Sequence, residues 1–235
     1  MWLSIDPMSD KYPSISPYAY CAWNPVKLVD PDGRDVYRLD TETGSLTLYK
    51  RTRSKTDRVE AGTYSNIGRT KNIWHATKQI EVSKGVLNGK KGEDLSNSGF
   101  TTTEGNQRDG LRLARFISFE CYKELAGVGF TKGGKEELEV FPWEQNTSFS
   151  GKTYVPDNKN ISFAFHTHPG DRRGTGGRSG LDYADKRWAI SMRENYGVHQ
   201  NFIITRRDGV QQHNEWNIIP KGISMPPKTF NDVYK

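Results

Sequence analysis

The sequence predicts an α/β fold of the α+β type, in which a mixed β-sheet is packed between helices. Two segments carry apolar residues at the three- and four-residue spacing of a helix, and short segments around them alternate apolar and polar residues as strands do. From residue 109 onward the predicted order is helix, three strands, helix and two strands. The first 34 residues contain five prolines, so an irregular β-type segment is expected to precede this fold.

The chain that follows these 34 residues begins with a predicted β-hairpin. Residues 36–49 alternate apolar and polar side chains on either side of a turn-forming Thr-Glu-Thr-Gly-Ser segment. Residues 51–107 are polar and give no firm assignment, so we interpret 35–107 as a polar linker or adaptor. His75 lies in this region without an acidic or histidine neighbour at strand or helix spacing, which favours a structural role over metal binding.

The remaining elements are predicted from apolar periodicity. Asp109 is expected to cap a helix that ends near Lys123, and a second helix is expected to end near Tyr196. The inner stripe of the first helix consists of Leu111, Ala114, Ile117 and Cys121, and that of the second consists of Leu181, Ala184, Trp188 and Met192. Strands are predicted at residues 124–130, 138–142, 161–168, 202–205 and 215–219, with Asp208 and Gly209 turning the last two.

The composition restricts the partners and the metal ligands. The 235-residue chain has a net charge of +6 and an isoelectric point of about 9.2, which allows attraction to nucleic acid, anionic membranes or an acidic protein. Cys21 and Cys121 are the two cysteines, so any metal must be held by histidine and carboxylate. The amino terminus lacks the pattern of a signal peptide and no run of about 18 apolar residues occurs, so no membrane span is expected.

Two histidines end one of the predicted strands. The two-residue period of a strand places Ile161, Phe163 and Phe165 on one face, and it places Ser162, Ala164, His166 and His168 on the other. Both imidazoles therefore point the same way at the start of a loop rich in glycine and arginine. The loop leads to Ser179 and Asp182, which open the next predicted helix.

These side chains match the needs of a hydrolytic zinc site. Zinc in such a site takes three protein ligands and leaves a fourth position for water. His166, His168 and Asp182 can supply the three ligands. Ser179, three residues before Asp182, is the candidate for holding the oxyanion that develops during amide hydrolysis.

A separate carboxylate must accept the proton of the water and pass it to the leaving amine. Glu124 is the candidate, because it begins the strand that is expected to lie beside the histidine strand, and Gly127 follows it. Glu120 and Glu136 are nearby in the sequence and remain alternatives. The residues alone therefore leave the general base open among three glutamates.

The motifs in residues 109–219 resemble those of the JAMM metallopeptidases, also called the JAB or MPN fold. The chain has Glu-x-x-Gly after a helix, His-x-His-Pro closing a strand and Ser-x-x-Asp opening the next helix. The resemblance implies that residues 108–235 form a JAB-like hydrolase domain with Zn²⁺ held by His166, His168 and Asp182. It implies Glu124 as the general acid and base and Ser179 as the stabiliser of the transition state. That family cleaves peptide or isopeptide bonds, often at ubiquitin-like modifiers.

Residues 1–34 resemble the carboxy-terminal end of the RHS repeat-associated core. Four motifs of that family occur in order, namely Asp-Pro, Tyr-x-Tyr, Asn-Pro-Val and a final Asp-Pro-x-Gly. The resemblance implies self-cleavage at Arg34–Asp35 by an aspartate pair, Asp6 and Asp30. Both aspartates also have a structural interpretation, because Asp-Pro steps commonly open turns. An arginine stands at the cut position, where the family usually has an apolar residue.

The RHS resemblance implies a function for the domain that follows. RHS proteins carry variable toxins, and JAB-like domains occur among them. The expectation is a bacterial effector that is secreted or delivered between cells without a signal peptide on this chain, and that acts on a protein in the target-cell cytoplasm. A cognate immunity protein, expected to be acidic, would be a partner. Arg172, Arg173 and Arg178 could contact such a partner or an acidic substrate, although solvated loop charges are the more common explanation of such residues.

Two other classes of function stay open. A basic nuclease toxin on the same RHS vehicle would bind phosphates through the loop arginines and use a single histidine as base, and only this alternative implies nucleic acid as a partner. A JAMM-like module that binds a partner without catalysis is the second alternative. Each motif also has a structural explanation by itself, since Ser179-x-x-Asp182 has the pattern of a helix capping box. The combination of the motifs favours the metallopeptidase.

Overall fold

Ten strands and three helices make up the part of the chain that the structure describes. A computed structural model describes residues 35–51, 55–67, 71–143, 160–170, 183–206 and 209–213. The strands are β1 (Asp35–Asp40), β2 (Leu46–Lys50), β3 (Thr56–Ile67), β4 (Lys71–Ser83), β5 (Phe100–Thr101), β6 (Ala126–Lys132), β7 (Lys135–Val140), β8 (Asn160–His168), β9 (Asn201–Thr205) and β10 (Gly209–His213), and the helices are α1 (Leu95–Ser98), α2 (Gln107–Cys121) and α3 (Tyr183–Tyr196).

The strands form two mixed sheets, which confirms the predicted α/β class. One sheet has four strands in the order β2-β1-β3-β4, and the other has six in the order β10-β9-β8-β6-β7-β5. Each sheet contains one parallel pair, β1 with β3 and β8 with β9, among antiparallel neighbours. None of the helices in the described ranges is long and apolar enough to cross a membrane.

The four-stranded sheet contains the predicted hairpin and the region that the sequence left unassigned. β1 and β2 pair antiparallel, and the Asp40 N–H donates to the Ser45 carbonyl across the turn. Within residues 51–107, β3 and β4 form a long antiparallel hairpin, and β5 joins the edge of the six-stranded sheet. His75 is exposed on β4 and its Nε2 lies 2.7 Å from the Ser65 hydroxyl, as expected for a structural role.

A half-buried ion cluster ties the start of β1 and β3 to the chain that follows β4. The Lys84 ammonium donates to the carboxylates of Asp35 and Asp57, the latter at 2.9 Å. Burial lowers the pKa of Lys84, but the hydrogen bonds to the two aspartates outweigh this effect and raise the pKa above its ordinary value. Tyr37 lies beside the cluster, and both aspartates act to raise its pKa.

The first predicted helix is confirmed, but the prediction that Asp109 caps its N-terminus is wrong. α2 begins at Gln107, with Asn106 as the preceding cap residue, so Asp109 lies inside the first turn. The Asp109 carboxylate instead accepts hydrogen bonds from the backbone N–H and the hydroxyl of Ser83 at the end of β4. The carboxylate of Asp109, which the sequence pattern predicts as a helix cap, therefore binds Ser83 of β4 instead.

Two further sequence predictions need correction. The partner of β9 is β10, which begins at Gly209 rather than at residue 215, because Gly209 pairs with Thr205 and the register continues to His213 opposite Asn201. Residues 215–219 lie outside the described ranges. Ile161 packs on the opposite face from Phe163, because the pairing of β6 with β8 is irregular at this point.

The six-stranded sheet has a different helix on each face. Its first face packs against α2 in a core that also includes side chains of the four-stranded sheet: Tyr37, Leu39, Leu111, Ala114, Ile117, Phe163, Phe165 and Phe202 belong to this cluster. Its second face packs against α3 through Ala126, Val128, Ala164, Trp188 and Met192. Because side chains alternate along β8, the odd-numbered phenylalanines contact the α2 face, and Ala164 and the histidines face α3.

An alanine at Gly129 is expected to destabilise the fold. Its Cβ would lie 2.2 Å from the ring of Phe163 on the neighbouring strand. Overpacking of this kind lowers the free energy of unfolding by about 1–3 kcal/mol. Urea unfolding of Gly129→Ala in the wild-type and Phe163→Leu backgrounds measures the effect, which should shrink when the ring is removed. Gly127→Ala is the matched control: its Cβ would lie 2.2 Å from the Glu139 carbonyl oxygen, which no side-chain substitution relieves. Equal costs in both backgrounds at Gly129 would contradict the steric explanation.

Alkaline pH is expected to destabilise the fold through Tyr37. Burial, with the charges of Asp57 and Asp35, raises the pKa of Tyr37 from 10.0 to about 12. The unfolded state therefore loses this proton at lower pH than the folded state, and the free energy of unfolding falls by about 2–3 kcal/mol as the pH rises through this window. Lys84 has a raised pKa and adds to the fall in the same direction. Urea unfolding between about pH 9 and pH 12 should show a smaller fall in Tyr37→Phe, and an identical pH dependence would refute the assignment.

Candidate metal centre

The two histidines of the predicted motif lie at the end of β8 on the face that packs against α3. His166 and His168 are each 6% exposed. Their rings lie 4.9 Å apart between centroids, and their Nε2 atoms are 3.2 Å apart. The sequence prediction that both imidazoles share one face of a strand is confirmed.

The third member of the group is Asp185 on α3. Its carboxylate is buried, and its Oδ1 lies 2.8 Å from Nε2 of His166 and 3.3 Å from Nε2 of His168. The two imidazole nitrogens and the carboxylate oxygen thus form a triangle with sides of 2.8, 3.2 and 3.3 Å. His166, His168 and Asp185 together form a buried group that can bind a metal ion.

Thr167 holds the end of β8 from the opposite face. Its side chain is fully buried, and its Oγ1 accepts a hydrogen bond from the Leu125 N–H at 2.8 Å. The Ser118 hydroxyl oxygen of α2 lies 2.7 Å from the same atom. The Thr167 N–H in turn donates to the Leu125 carbonyl. These bonds fix the backbone between the two histidines to both α2 and the chain that leads into β6.

Glu124 lies beside this anchor, on the chain just before β6. Ala126 pairs with His166 in the antiparallel register, and Leu125 is hydrogen-bonded to Thr167, so continuing the register by one residue places Glu124 opposite His168. Alternation along the chain directs Glu124 to the same face as Ala126, which packs towards α3. Glu124 is half-buried and precedes the strand by two residues, whereas the sequence predicted that it would begin the strand.

The two alternative glutamates lie elsewhere. Glu120 forms an ion pair with Lys78 of β4 at 2.8 Å, on the side of α2 that faces the four-stranded sheet. Glu136 is exposed and pairs with Thr131 at the far end of the β6–β7 hairpin. Among the three glutamates that the sequence offered, Glu124 is the one that adjoins Leu125, which is hydrogen-bonded to Thr167 between the two histidines.

Several predicted residues lie outside the described ranges. Ser179 and Asp182 belong to this set, as do the loop arginines at 172, 173 and 178, so their roles stay predictions. Asp6, Asp30 and Arg34, the residues of the expected self-cleavage, also lie outside it.

Sequence reasoning missed Asp185. A signal was present, because Asp185 precedes Trp188, Ala189 and Met192 at the three-, four- and seven-residue spacing of one helix face, and all of these are buried. The prediction took the aspartate three residues earlier, because it completes a Ser-x-x-Asp pattern. A further histidine, His213 of β10, lies beside this group. This residue is fully buried, and its ring stands edge-on to His166 at 5.8 Å between centroids.

Comparisons of the chain with protein-family models, with curated proteins and with solved structures find no match. The resemblances to JAMM metallopeptidases and to the RHS core therefore rest on the motifs of this chain. The geometry of the buried group of His166, His168 and Asp185 is what supports metal binding.

Asp185→Asn is expected to remove most of the metal binding. The change replaces the anionic ligand of the group with a neutral amide of equal size, and we expect the affinity to fall roughly 100-fold or more. Metal content after purification, measured by mass spectrometry, and competition with a chelator give the affinity, while circular dichroism checks the fold. Asp182→Asn is the matched control and should keep the metal. The opposite result, with loss in Asp182→Asn and retention in Asp185→Asn, would show that the ligand is the aspartate predicted from the sequence.

Proposed function

We propose that this protein is a zinc-dependent peptidase or isopeptidase of the JAMM type. The observation that carries the proposal is the convergence of two imidazole nitrogens and one carboxylate oxygen, all within 3.3 Å of one another. Glu124 lies on the neighbouring segment, just before β6. Two histidines and one carboxylate are a common ligand set of hydrolytic zinc sites.

The spacing of the three atoms supports a tetrahedral metal. Zinc bonds of about 2.0–2.1 Å at tetrahedral angles separate neighbouring ligand atoms by about 3.3 Å. The observed separations of 2.8, 3.2 and 3.3 Å are close to this value. The group therefore needs only a small adjustment of side chains to hold zinc, and three ligands leave the fourth position for substrate chemistry.

The chemistry then divides between the metal and Glu124. His166, His168 and Asp185 would hold the zinc, which would supply a Lewis acid and make water at the site more acidic. Glu124 accepts the proton of the attacking water and delivers it to the nitrogen of the leaving amine. Ser179 is proposed to donate a hydrogen bond to the oxyanion, as the JAMM resemblance implies. The half-buried position of Glu124 opposite His168 supports its role.

The cellular role follows from the motifs of residues 1–34. We propose that the peptidase is the toxin tip of an RHS protein, that it is delivered into a target cell and that it cleaves a ubiquitin-like or isopeptide-linked protein there. The chain's net charge of +6 supports an acidic immunity protein as its partner.

Glu124→Gln is expected to keep the metal and to lose hydrolysis. The amide cannot accept the proton, so the rate of amide cleavage should fall by about 10²–10⁴-fold with unchanged zinc content. Growth of a susceptible cell that expresses each variant gives toxicity, and immunoblots of conjugated and free modifiers give cleavage. Glu136→Gln is the control, because it removes the same charge from an exposed position, and it should stay toxic.

His168→Ala completes the test, since it should lose both zinc and toxicity. Full toxicity in both Glu124→Gln and His168→Ala would exclude the metallopeptidase. Degraded nucleic acid in cells that express the wild-type protein, with intact protein conjugates, would instead support the nuclease alternative.

A further inference from the structure

A cleft of about 530 Å³ opens at the edge of the six-stranded sheet. Its walls come from α1, from the edge strand β5 and from the end of β7. Leu95, Phe100 and Phe141 line it with apolar surface, while Glu93 and Glu139 bring two carboxylates. The cleft thus joins apolar walls to negative charge.

The charge of the cleft is opposite to that of the whole chain. Among the described residues that line it, none is basic, although the chain has a net charge of +6. Glu93 and Glu139 are both half-buried, and Glu93 accepts the Lys90 N–H at 2.8 Å, which fixes its position. A cationic side chain with an apolar stem matches such a surface, because the stem contacts the apolar walls and the charge meets the carboxylates.

One wall of the cleft, formed by Glu139 and Phe141, lies on the same face of the sheet as the metal group. Glu139 pairs with Val128, which pairs with Ala164, and Ala164 is on the face that packs against α3. The Phe141 N–H donates to the Ala126 carbonyl, and Ala126 pairs with His166. Two strand spacings, about 10 Å in total, therefore separate the backbone of the cleft wall from that of His166.

One aromatic contact connects the cleft to the helix that carries Asp185. The ring of Phe141, a wall of the cleft, packs edge-on against Trp188 at 6.4 Å between centroids. Trp188 lies one turn after Asp185 on the same buried face of α3. This contact thus joins one wall of the cleft to the helix of the metal group.

We propose that this cleft binds a lysine or arginine side chain of the substrate, close to the bond that is cleaved. The proposal rests on the proposed peptidase function and specifies its substrate class as a basic peptide segment. An extended peptide advances about 3.3 Å per residue, so a substrate segment of a few residues can span the distance between this wall of the cleft and the metal group. Glu93 and Glu139 are specificity residues, separate from the residues proposed to bind metal and transfer protons.

Binding can be tested without catalysis. The probe is acetyl-Gly-Arg-Gly-amide, and the control peptides carry neutral citrulline or anionic glutamate in place of arginine. Each peptide is titrated into the isotopically labelled full chain in the absence of added metal. We expect backbone amide shifts concentrated at residues 98–103 and 139–141, and an affinity for the arginine peptide about fivefold or more above that for citrulline.

A matched pair of double variants identifies the carboxylates. Glu93→Gln with Glu139→Gln should reduce the arginine preference to near unity, while Glu42→Gln with Glu136→Gln, which removes the same charge from exposed positions outside the cleft, should keep it. Unfolding by urea checks that all variants fold. Equal binding of the three peptides, or equal loss in both double variants, would overturn the proposal.

The same measurements separate this proposal from the proposed function. Arginine binding at the cleft in a protein that neither holds zinc nor cleaves amides would refute the peptidase and leave the binding site standing. Conversely, cleavage could require zinc while the Glu93→Gln, Glu139→Gln variant keeps the wild-type preference for basic peptides. That result would refute the proposed binding site in the cleft and leave the peptidase proposal standing.

Discussion

The hydrogen bonds of Thr167 are the constraint on which the candidate site depends. The residue lies between the two histidines, and its side chain is buried on the opposite face of β8. Its bond from the Leu125 N–H fixes the residue that follows Glu124, so one hydroxyl positions both imidazoles and the proposed base. Ser118 connects the same hydroxyl to α2. A buried hydroxyl is costly without such partners, and with them it selects a single register for β8 against β6.

The end of α2 positions the short segment that carries Glu124 and leads into β6. Tyr122 adopts the left-handed conformation that ends many helices, and its N–H donates to the Ser118 carbonyl. The Ser118 hydroxyl donates to the Lys123 carbonyl at 2.7 Å, so the chain turns immediately towards β6. Arg206, just after β9, donates to the Phe119 carbonyl and stacks over Tyr122. The turn that presents Glu124 is therefore held from within the helix and from the far side of the histidine strand.

Local patterns account for what the sequence could predict, and tertiary contacts account for the rest. Alternation along β8 was sufficient to direct both histidines to one face, and helical spacing was sufficient for α2. The choice between two aspartates three residues apart depended on how α3 packs on the sheet, because Asp185 belongs to its buried face, and motif spacing favoured Asp182, which lies outside the described ranges. Asp109 shows the same limit, because its role as a cap or as a partner of Ser83 depends on where β4 ends. The assignment of Gly209–His213 to the sheet also required knowledge of its pairing with β9, because Val210 is the one aliphatic residue in this segment.

The packing of α3 explains how a carboxylate can be held against two imidazoles in a buried position. An anionic group that is 5% exposed destabilises the fold unless positive charge offsets it, either protons on the histidines or a metal ion. Apolar contacts of Trp188 and Met192 with Ala126 and Ala164 fasten the helix independently of that charge. The ligand atoms are thus brought together by hydrophobic packing before any cation contributes, which favours a preformed site over one that folds around the metal.

Because Phe141 belongs to the same apolar cluster and also lines the acidic cleft, the contacts that position Asp185 shape the neighbouring surface as well. A substitution in this cluster should therefore affect metal affinity and peptide preference together, whereas a substitution at either site alone should leave the other unchanged.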